Sequence, residues 1–391
     1  MLARPAYRRL WTAQTISRWG DVFNTVALAV LVYQLTGSGL GVTGVVAAEI
    51  LPVLLLAPAA GALIDRLPAV KVMIAADLWR VGLALSLPLV ADSVAAVYAI
   101  AFGLSIGSTF YNPASQSVVP TILDDDELIA GNSGLWTAAV VSQIVLAPLA
   151  GGMVVVMGVT PAFLLNAATF AVSAAVLARL ATLRTATDQS PARRSWWRLA
   201  LDGVHVIVTT PLLRLLATVQ LLAALSAGAT SALLIVLATD HLRAGPDGFG
   251  IMLAGVGVGA VLGPLLLTRL TRDPRRPAFV FGPFVLRGVV DLLLASIRSL
   301  PLAVGALGLY GLGTSTGAVT FNSLLQAETD PSTRGRVFAS FDAIWQFGRL
   351  LSLAGGGLLA DTLGIVAVYY LGGVLLVAAG TAGLTRAHRR L

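Results

Sequence analysis

The sequence predicts an all-α membrane protein with twelve transmembrane helices, on the basis of its composition and the length of its apolar segments. Of its 391 residues, 57% are hydrophobic and 12% are charged, about half the charged share of a soluble domain. A helix needs about 20 mostly apolar residues to cross the hydrocarbon core. Twelve such segments lie at about 10–35, 40–64, 69–91, 94–113, 130–157, 161–182, 212–238, 248–270, 277–298, 300–325, 336–360 and 363–385. Because lipid offers backbone groups no hydrogen-bond partner, segments this long are helices rather than strands.

The basic residues predict the orientation of the chain in the membrane. The formal net charge is +7, and eighteen lysines and arginines fall in loops on one side. The loops on the other side offer only Arg243 and Arg298. Because cytoplasmic loops carry the excess of basic residues, we expect a multi-pass protein of the cell membrane with both termini in the cytoplasm. The eighteen residues are Arg4, Arg8, Arg9, Arg66, Lys71, Arg184, Arg193, Arg194, Arg198, Arg269, Arg272, Arg275, Arg276, Arg334, Arg336, Arg386, Arg389 and Arg390.

The longest loop, residues 183–211, divides the chain into an N-terminal six-helix half (1–182) and a C-terminal six-helix half (212–391). Basic and aromatic residues lie side by side in this loop: Arg193, Arg194, Trp196, Trp197 and Arg198. This combination suits the lipid headgroup layer, which predicts a cytoplasmic, interfacial linker. A nucleic-acid-binding patch is the disfavoured alternative, and we expect no nucleic acid as a partner.

Three landmarks recur in the same order in both halves. Residues 112–116, after the fourth predicted span, begin with Asn and end with Gln, and residues 322–326 do the same 210 positions later. Glycine-containing triplets recur at offsets of 202 and 205, at 61–63 and 263–265, and at 150–152 and 355–357. Parallel six-helix repeats are a known transporter architecture, with the substrate between the halves near the midplane.

With these landmarks the sequence resembles the major facilitator superfamily over essentially its whole length. The loop after the second span resembles the family signature G-x-L-x-D-R-x-G-R-x-K/R, with Pro68 and Ala69 replacing a glycine and a basic residue. Its matching positions are Gly61, Leu63, Asp65, Arg66 and Lys71. Further residues resemble the branch that contains macrolide-efflux proteins and enterobactin exporters: Asn112, Pro113, Ala114, Pro120, Asn132, Gln326, Pro331, Arg334, Gly335, Arg336 and Val337. The resemblance implies the major facilitator fold.

The same resemblance implies a gate. In the family, the aspartate of this loop is thought to latch the two halves by facing the positive end of the eleventh helix. Here the aspartate is Asp65, and the eleventh helix begins near Arg334, Gly335 and Arg336. An anion near a helix N-terminus is stabilised by about 0.3–1 kcal/mol, and Gly61 allows a close helix approach. A solvated turn is the alternative, and the latch is favoured.

The fifth span matches part of the family's antiporter signature, in which close-packed glycines and a kinking proline are thought to seal the interface between the halves. Gln143 and Ala147 stand where two of its glycines belong. Small-residue packing therefore explains the matching positions about as well as antiport does. They are Gly134, Pro148, Gly151 and Gly152.

Charges inside the membrane are costly and usually face a cavity or a partner. Most of them form opposite pairs along one helix, which predicts neutralisation in place: Arg18 with Asp21, Asp77 with Arg80, Arg287 with Asp291, and Asp342 with Arg349. Glu49 is the exception, because its own helix has no basic residue within two turns. It lies about 15 Å deep at 1.5 Å per residue. A low dielectric disfavours the charged form of a lone carboxyl, which makes Glu49 the first candidate for proton coupling. A base on another helix, such as Arg18 or Arg349, remains an equal alternative.

Asp21 is the second candidate for proton coupling, because Gln14, Arg18, Asp21 and Thr25 form one polar stripe at helical spacing. The resemblance implies that the first, fourth, seventh and tenth helices line a cavity. Interhelical hydrogen bonds or lipid-facing packing are the alternatives for each candidate. The candidate lining residues are Arg18, Thr25, Ser108, Asn112, Trp136, Tyr310, Asn322, Gln346 and Arg349, with Phe321 and Trp345 as further aromatic walls.

These features predict a secondary active exporter of a bulky, partly hydrophobic small molecule of the drug, antibiotic or siderophore type, working by proton antiport and alternating access. A metabolite or sugar uptake carrier is one alternative, and a non-transporting receptor or scaffold is another. The sequence contains no Walker loop, paired-cysteine metal site or Ser-His-Asp set. We therefore expect no enzymatic activity, no cofactor and no metal. The expected partners are the small molecule, protons and the lipid bilayer, with the protein as a monomer.

Overall fold

The computed structural model describes residues 4–64, 67–124, 127–180, 204–271, 273, 275–330 and 333–387. Throughout these residues the regular structure is helical, without β-strands. The long helices of this part are α1 (Pro5–Thr36), α2 (Gly39–Ile64), α3 (Ala69–Ser86), α4 (Val94–Ile122), α5 (Leu128–Met157), α6 (Thr160–Ala178), α7 (Pro211–Ala232), α8 (Gly245–Leu270), α9 (Pro277–Ser296), α10 (Leu300–Ala327), α11 (Arg334–Leu363) and α12 (Ile365–Ala387). Ten of them are long and apolar enough to cross a membrane. A multi-pass, all-α membrane protein is thus confirmed.

The number of spans stays a prediction. The helices α1 and α11 are not among the ten, and they carry more charged residues than any other long helix in the described part. Both are nevertheless long, with 32 residues in α1 and 30 in α11. Length therefore agrees with twelve spans, while composition alone supports ten.

The helix α4 differs most from its predicted segment. It continues from the predicted end at residue 113 to Ile122, with Pro113 and Pro120 inside it. Residues 112–116 therefore lie within a helix, and so do residues 322–326 of α10. Placing residues 112–116 after the fourth span was wrong, because proline is tolerated inside membrane helices, where neighbouring groups satisfy the freed carbonyls.

The chain forms two compact units. The first consists of Met1–Gly37 and Val45–Ala192, and the second of Ser38–Gly44 and Arg193–Leu391. The first unit thus contains α1, most of α2, and α3 to α6. The second contains α7 to α12 and the first six residues of α2, 39–44.

In the first unit, α1, α3, α4 and α6 enclose an apolar core. Leu10, Met73 and Leu177 are fully buried there. Tyr7 belongs to the same core, and its hydroxyl donates to the carbonyl of Gly131 at 2.8 Å, which joins α1 to α5. The Tyr7 hydroxyl is thus satisfied where two helices meet, in an interior that offers no water as a partner.

In the second unit, the core lies between α7, α9, α10, α11 and α12, where Leu216 and Leu376 are fully buried. Phe321 packs edge-on against Phe284 and Phe341, with ring centroids 6.2 Å and 5.8 Å away. Such edge-to-face contacts stabilise aromatic clusters beyond their buried area.

The helices α8 and α10 approach each other through glycines. A Cβ atom at Gly259 would lie 1.8 Å from the carbonyl oxygen of Gly308, and one at Gly311 would lie 1.9 Å from that of Val256. Small residues at such positions let helix backbones pack closely in a membrane. Only glycine fits this backbone contact.

The start of α2 belongs to the second unit because Asp361 of α11 caps it. The Asp361 carboxylate accepts hydrogen bonds from the Ser38 hydroxyl and the Gly39 amide, both at 2.6 Å, and from the Leu40 amide at 3.2 Å. A carboxylate satisfies the unpaired amides of a helix N-terminus and is favoured by the helix dipole.

Candidate functional site

Asp77 and Arg80 form a buried ion pair on α3, which confirms this predicted pair. Asp77 is 0% and Arg80 is 3% exposed. The hydroxyl of Ser173 on α6 donates to Oδ2 of Asp77 at 2.7 Å. The Arg80 guanidinium lies 4.5 Å from the ring centre of Tyr111 and 4.2 Å from that of Phe170. The pair is therefore neutralised and held by three helices.

The predicted pair of Arg18 with Asp21 is not formed. In the part of the chain that the structure describes, neither residue makes an ion pair, and Arg18 is exposed. The charge of Arg80 acts on Asp21 more strongly than that of Arg18, and the charges of Asp21 and Asp77 also interact. Asp21 is thus a second carboxylate near one buried cation.

Arg287 on α9 is accommodated in the same way as Arg80 on α3. A Cβ atom at Gly107 would lie 2.6 Å from Cγ of Arg80, and one at Gly313 would lie 3.0 Å from Cγ of Arg287. Both arginine stems therefore occupy space that a glycine on the following helix leaves open. Arg287 follows Arg80 by 207 residues, and Gly313 follows Gly107 by 206.

The contacts of the Arg287 guanidinium differ from those of Arg80. It donates to the Tyr310 hydroxyl at 2.9 Å and lies 4.7 Å from the centre of that ring. Arg287 and Asp291 are 8% and 1% exposed, and their charges interact. They do not come within ion-pair distance in the described residues, so the predicted close pair was wrong.

The fourth predicted pair, Asp342 with Arg349, is not formed either. Arg349 donates to Oε1 of Gln346 at 3.5 Å. Asp342 and Arg349 are seven residues apart, about 10 Å along the helix axis, which is too far for a close pair. Asp342 is exposed and forms no ion pair with any residue that the structure describes.

A cavity of about 350 Å³ lies inside the second unit, among α7, α9, α10 and α11. Five of its lining side chains are aromatic, and two, Arg287 and Asp342, are charged. A mostly apolar and aromatic wall with a few polar groups is typical of small-molecule sites. The full lining is Gln220, Pro283, Phe284, Arg287, Gly313, Thr314, Gly317, Ala318, Phe321, Asn322, Leu325, Phe338, Phe341, Asp342 and Trp345.

The helix α11 places a carboxylate between two aromatic residues on the cavity wall. Phe338, Asp342 and Trp345 are four and three residues apart, a spacing that puts them on one face of a helix. All three line the cavity. The wall thus combines a negative charge with aromatic rings one turn away on each side.

Several predicted lining residues lie in or near this cavity. Asn322, Phe321 and Trp345 line it, and Tyr310 contacts its Arg287. Gln346 and Arg349 bond to each other on α11 and are not part of the lining.

The predicted lining residues of the first unit occupy mixed positions. Gln14 donates to the hydroxyl of Ser115 at 2.5 Å, which joins α1 to α4, and Ser108 donates within its own helix. Three further candidates are exposed, namely Thr25, Asn112 and Trp136. Whether they contact a solute stays a prediction.

Glu49 is half-buried in α2. Its backbone carbonyl accepts a hydrogen bond from the Ser105 hydroxyl, which fixes α2 against α4 at this depth. Its role in proton coupling stays a prediction.

The predicted gate falls largely outside what the structure describes. Asp65 and Arg66 lie outside the described residues, as do the side-chain surroundings of Gly61, Arg334 and Gly335. Two gate residues are described: Lys71 is exposed in the first turn of α3, and Arg336 is half-buried in the first turn of α11.

The predicted packing residues of α5 behave differently from one another. A Cβ atom at Gly134 would lie 2.8 Å from the Tyr7 hydroxyl oxygen, so this glycine packs against α1. A Cβ atom at Gly152 would meet no described atom of the first unit within 4 Å. Gly151 is buried, and Pro148 lies inside the helix.

Sequence reasoning did not propose Gln220, Thr314 or Asp342 as lining residues. The spacing of Asp342 from Phe338 and Trp345 is the signal that could have found it. Gln220 lies on the seventh helix, which the family resemblance names as cavity-lining, without a pattern that singles it out.

Long apolar helices, buried charges and an aromatic cavity inside a helical unit define a class of protein, the multi-pass membrane transporters. Residues 1–390 match the family described as transmembrane secretion effector. The chain therefore belongs to this family of the major facilitator superfamily, as the sequence motifs predicted, and it is a transporter rather than an enzyme.

Curated relatives and solved structures agree with this assignment. The multidrug efflux pump Tap of Mycolicibacterium fortuitum is 28% identical over 371 residues, which cover 90% of this chain and 88% of Tap. Macrolide efflux protein A of Streptococcus pyogenes is 22% identical over 377 residues, covering 94% of this chain and 92% of that protein.

Two solved structures share the fold. The nucleoside transporter NupG matches with a TM-score of 0.77 at 13% identity, covering 99% of both chains. An inward-facing bacterial homologue of the iron transporter ferroportin matches with a TM-score of 0.78 at 15% identity, covering 98% of this chain and 99% of that one. At such identities the likeness shows the fold alone.

Proposed function

We propose that the protein exports a bulky, partly hydrophobic small molecule from the cell. The cavity of the second unit carries the proposal, because its volume of about 350 Å³ lies in the range of drug-sized ligand sites. Its five aromatic side chains offer apolar surface, while Gln220, Thr314 and Asn322 offer hydrogen bonds. The family is described as a secretion effector, and Tap and macrolide efflux protein A are named as efflux proteins, which supports export.

Transport would proceed by alternating access between two six-helix halves, residues 1–182 and 212–391, joined by the linker 183–211. The recurrence of Arg80 and Gly107 as Arg287 and Gly313 supports such a repeat, because its offsets of 207 and 206 fall within the range of the sequence landmarks. The proposal includes cytoplasmic termini, from the positive-inside rule, and a monomer as the working unit.

Proton influx would drive the export, with Glu49 and Asp21 as the candidate carriers. Asp21 and Asp77 share the field of one buried cation, Arg80. Two carboxylates near one cation repel each other, and protonating one of them relieves the repulsion. Glu49 is proposed from its depth in the second helix.

Transport assays in proteoliposomes can distinguish the roles of Glu49 and Asp21. Glu49→Gln imitates a permanently protonated carboxyl, so bound substrate should still exchange while a pH gradient no longer drives accumulation. Asp21→Asn should fold normally, because Asp21 makes no ion pair with any described residue and Arg80 keeps its pair with Asp77. Full gradient-driven transport by both variants would place the proton site elsewhere.

The export itself can be tested in cells that lack their own efflux pumps. Cells that produce the protein should accumulate less ethidium and less erythromycin than cells with an empty vector. Asp247→Asn, a change at an exposed residue outside the cavity, should behave like the wild type. Greater accumulation would favour the uptake carrier, and binding by the purified protein without flux would favour the receptor.

A further inference from the structure

We propose that Asp342 is a specificity-determining residue that binds the positive centre of a lipophilic organic cation in the cavity of the second unit. The proposal rests on the proposed function and names its substrate class. Three observations support it: Asp342 makes no ion pair in the described part of the chain, aromatic residues lie beside it on the cavity wall, and the arginine of the same cavity is already engaged by Tyr310.

The cavity wall holds one carboxylate that makes no ion pair among the described residues. Arg287 donates to the Tyr310 hydroxyl at 2.9 Å and makes no ion pair with any residue that the structure describes. Asp342 is exposed and forms no ion pair in the described part of the chain. A carboxylate inside a membrane protein is costly and takes a partner or faces a cavity. A cationic ligand supplies the missing partner.

The aromatic neighbours suit the same ligand. The rings of Phe338 and Trp345 line the cavity one turn before and one turn after Asp342. The faces of aromatic rings attract cations, tryptophan most strongly. A carboxylate flanked by such rings can hold a charged centre while the remaining cavity wall holds an apolar body.

Arg287 does not offer an equivalent site for an anion. Its side chain is 8% exposed, and its guanidinium already donates to Tyr310 and stacks on that ring. An anionic ligand would have to displace these contacts and would approach the carboxylate of Asp342 in the same cavity. The structure thus favours a cation over an anion of equal size.

A matched pair of probes tests the sign of the charge. Tetraphenylphosphonium and tetraphenylborate have the same shape and opposite charges, so each is measured separately by equilibrium dialysis against the purified full-length protein in detergent. We expect the wild type to prefer the phosphonium ion. Asp342→Asn should weaken its binding about tenfold or more, as for the loss of a charge-assisted contact.

Three further variants complete the test. Asp342→Glu should restore most of the affinity, Asp247→Asn should leave it unchanged, and Trp345→Leu should weaken it about threefold through loss of the cation–π contact. Circular dichroism confirms the fold of each variant, and Asp342→Glu and Trp345→Leu carry the test if Asp342→Asn does not fold. Equal affinity of Asp342→Asn and the wild type, or a wild-type preference for tetraphenylborate, overturns the proposal.

Flux measurements separate this proposal from the proposed function. If tetraphenylphosphonium binding depends on Asp342 but no probe is transported, the proposed binding site still holds. The proposed export is then refuted. If ethidium or erythromycin is transported but phosphonium binding does not depend on Asp342, export still holds. The assignment of Asp342 as the binding residue is then refuted.

Discussion

Replacing Arg80 by methionine tests how strongly the buried ion pair stabilises the first unit. The change leaves the fully buried carboxylate of Asp77 with the Ser173 hydroxyl but without its cation. Removing one partner of a buried ion pair costs about 3–5 kcal/mol. The lost stacking on Tyr111 and Phe170 acts in the same direction. We therefore expect the free energy of unfolding to fall by about 3–5 kcal/mol.

The double variant distinguishes a specific pair from general loss of packing. Asp77→Asn combined with Arg80→Met removes both charges, and replacing a buried pair by neutral groups is often close to neutral. The double variant should therefore be more stable than Arg80→Met alone. Non-additivity of this kind is the signature of residues in direct contact.

The assay is SDS titration of the purified protein in mixed micelles, followed by circular dichroism. Arg275→Gln is the control, because its ion pair with Asp273, at 3.4 Å, is exposed and such pairs contribute about 0–1 kcal/mol. Additive losses in the double variant would refute the reasoning. So would a loss near 0.6 kcal/mol, the average for polar contacts in a membrane protein, since the unfolded state would then satisfy Asp77 equally well.

Three further predictions concern the gate, the topology and the packing. Asp65→Asn should shift the accessibility of introduced cysteines from one membrane face to the other without abolishing substrate binding; unchanged accessibility leaves the latch without support. A reporter fused after Arg198 should be cytoplasmic and one inserted near Arg243 external, so finding both on one face contradicts the predicted topology. Gly311→Val should lower the melting temperature, because the added carbon would lie 1.9 Å from a carbonyl oxygen of α8. Gly305→Ala, where no described atom lies within 4 Å, should leave it unchanged.

The helices could be predicted from the sequence because the bilayer permits few alternatives. A long apolar segment in lipid must satisfy its backbone internally, so apolar length alone locates α2 or α9 to within a few residues. The end of α4 could not be found in this way. The predicted segment ends at residue 113, whereas the structure carries the helix on to Ile122.

The buried charges show that ion pairs cannot be predicted from the sequence of a single helix. Asp77 and Arg80 are three residues apart and pair, whereas Arg18 and Asp21 have the same spacing and do not. The spacing along a helix determines which charged residues are close enough to pair. Contacts with the surrounding helices determine which of these pairs form. Ser173 on α6 secures the first pair, and exposure of Arg18 removes the second.

The candidate site was harder to predict for the same reason. Asn322 and Trp345 could be proposed from residue type and helix position, and both line the cavity. Asp342 was assigned to a pair with Arg349, which would have hidden it as a binding residue. Its spacing from Phe338 and Trp345 puts it on one face of α11, but its exposure in the cavity depends on how α9, α10 and α11 pack.

The two units use a buried arginine for different purposes. In the first unit, the buried Arg80 pairs with a carboxylate and stacks on two aromatic rings, so it acts in structure. In the second unit, Arg287 borders a cavity that also holds the unpaired Asp342. Asp342, the carboxylate proposed to bind the substrate, thus belongs to the second unit. The proposed proton carriers, Glu49 and Asp21, belong to the first. With separate carboxyls, a proton and a substrate do not displace each other directly, so conformational change must couple them. That coupling is why Glu49→Gln should lose gradient-driven accumulation and yet retain exchange.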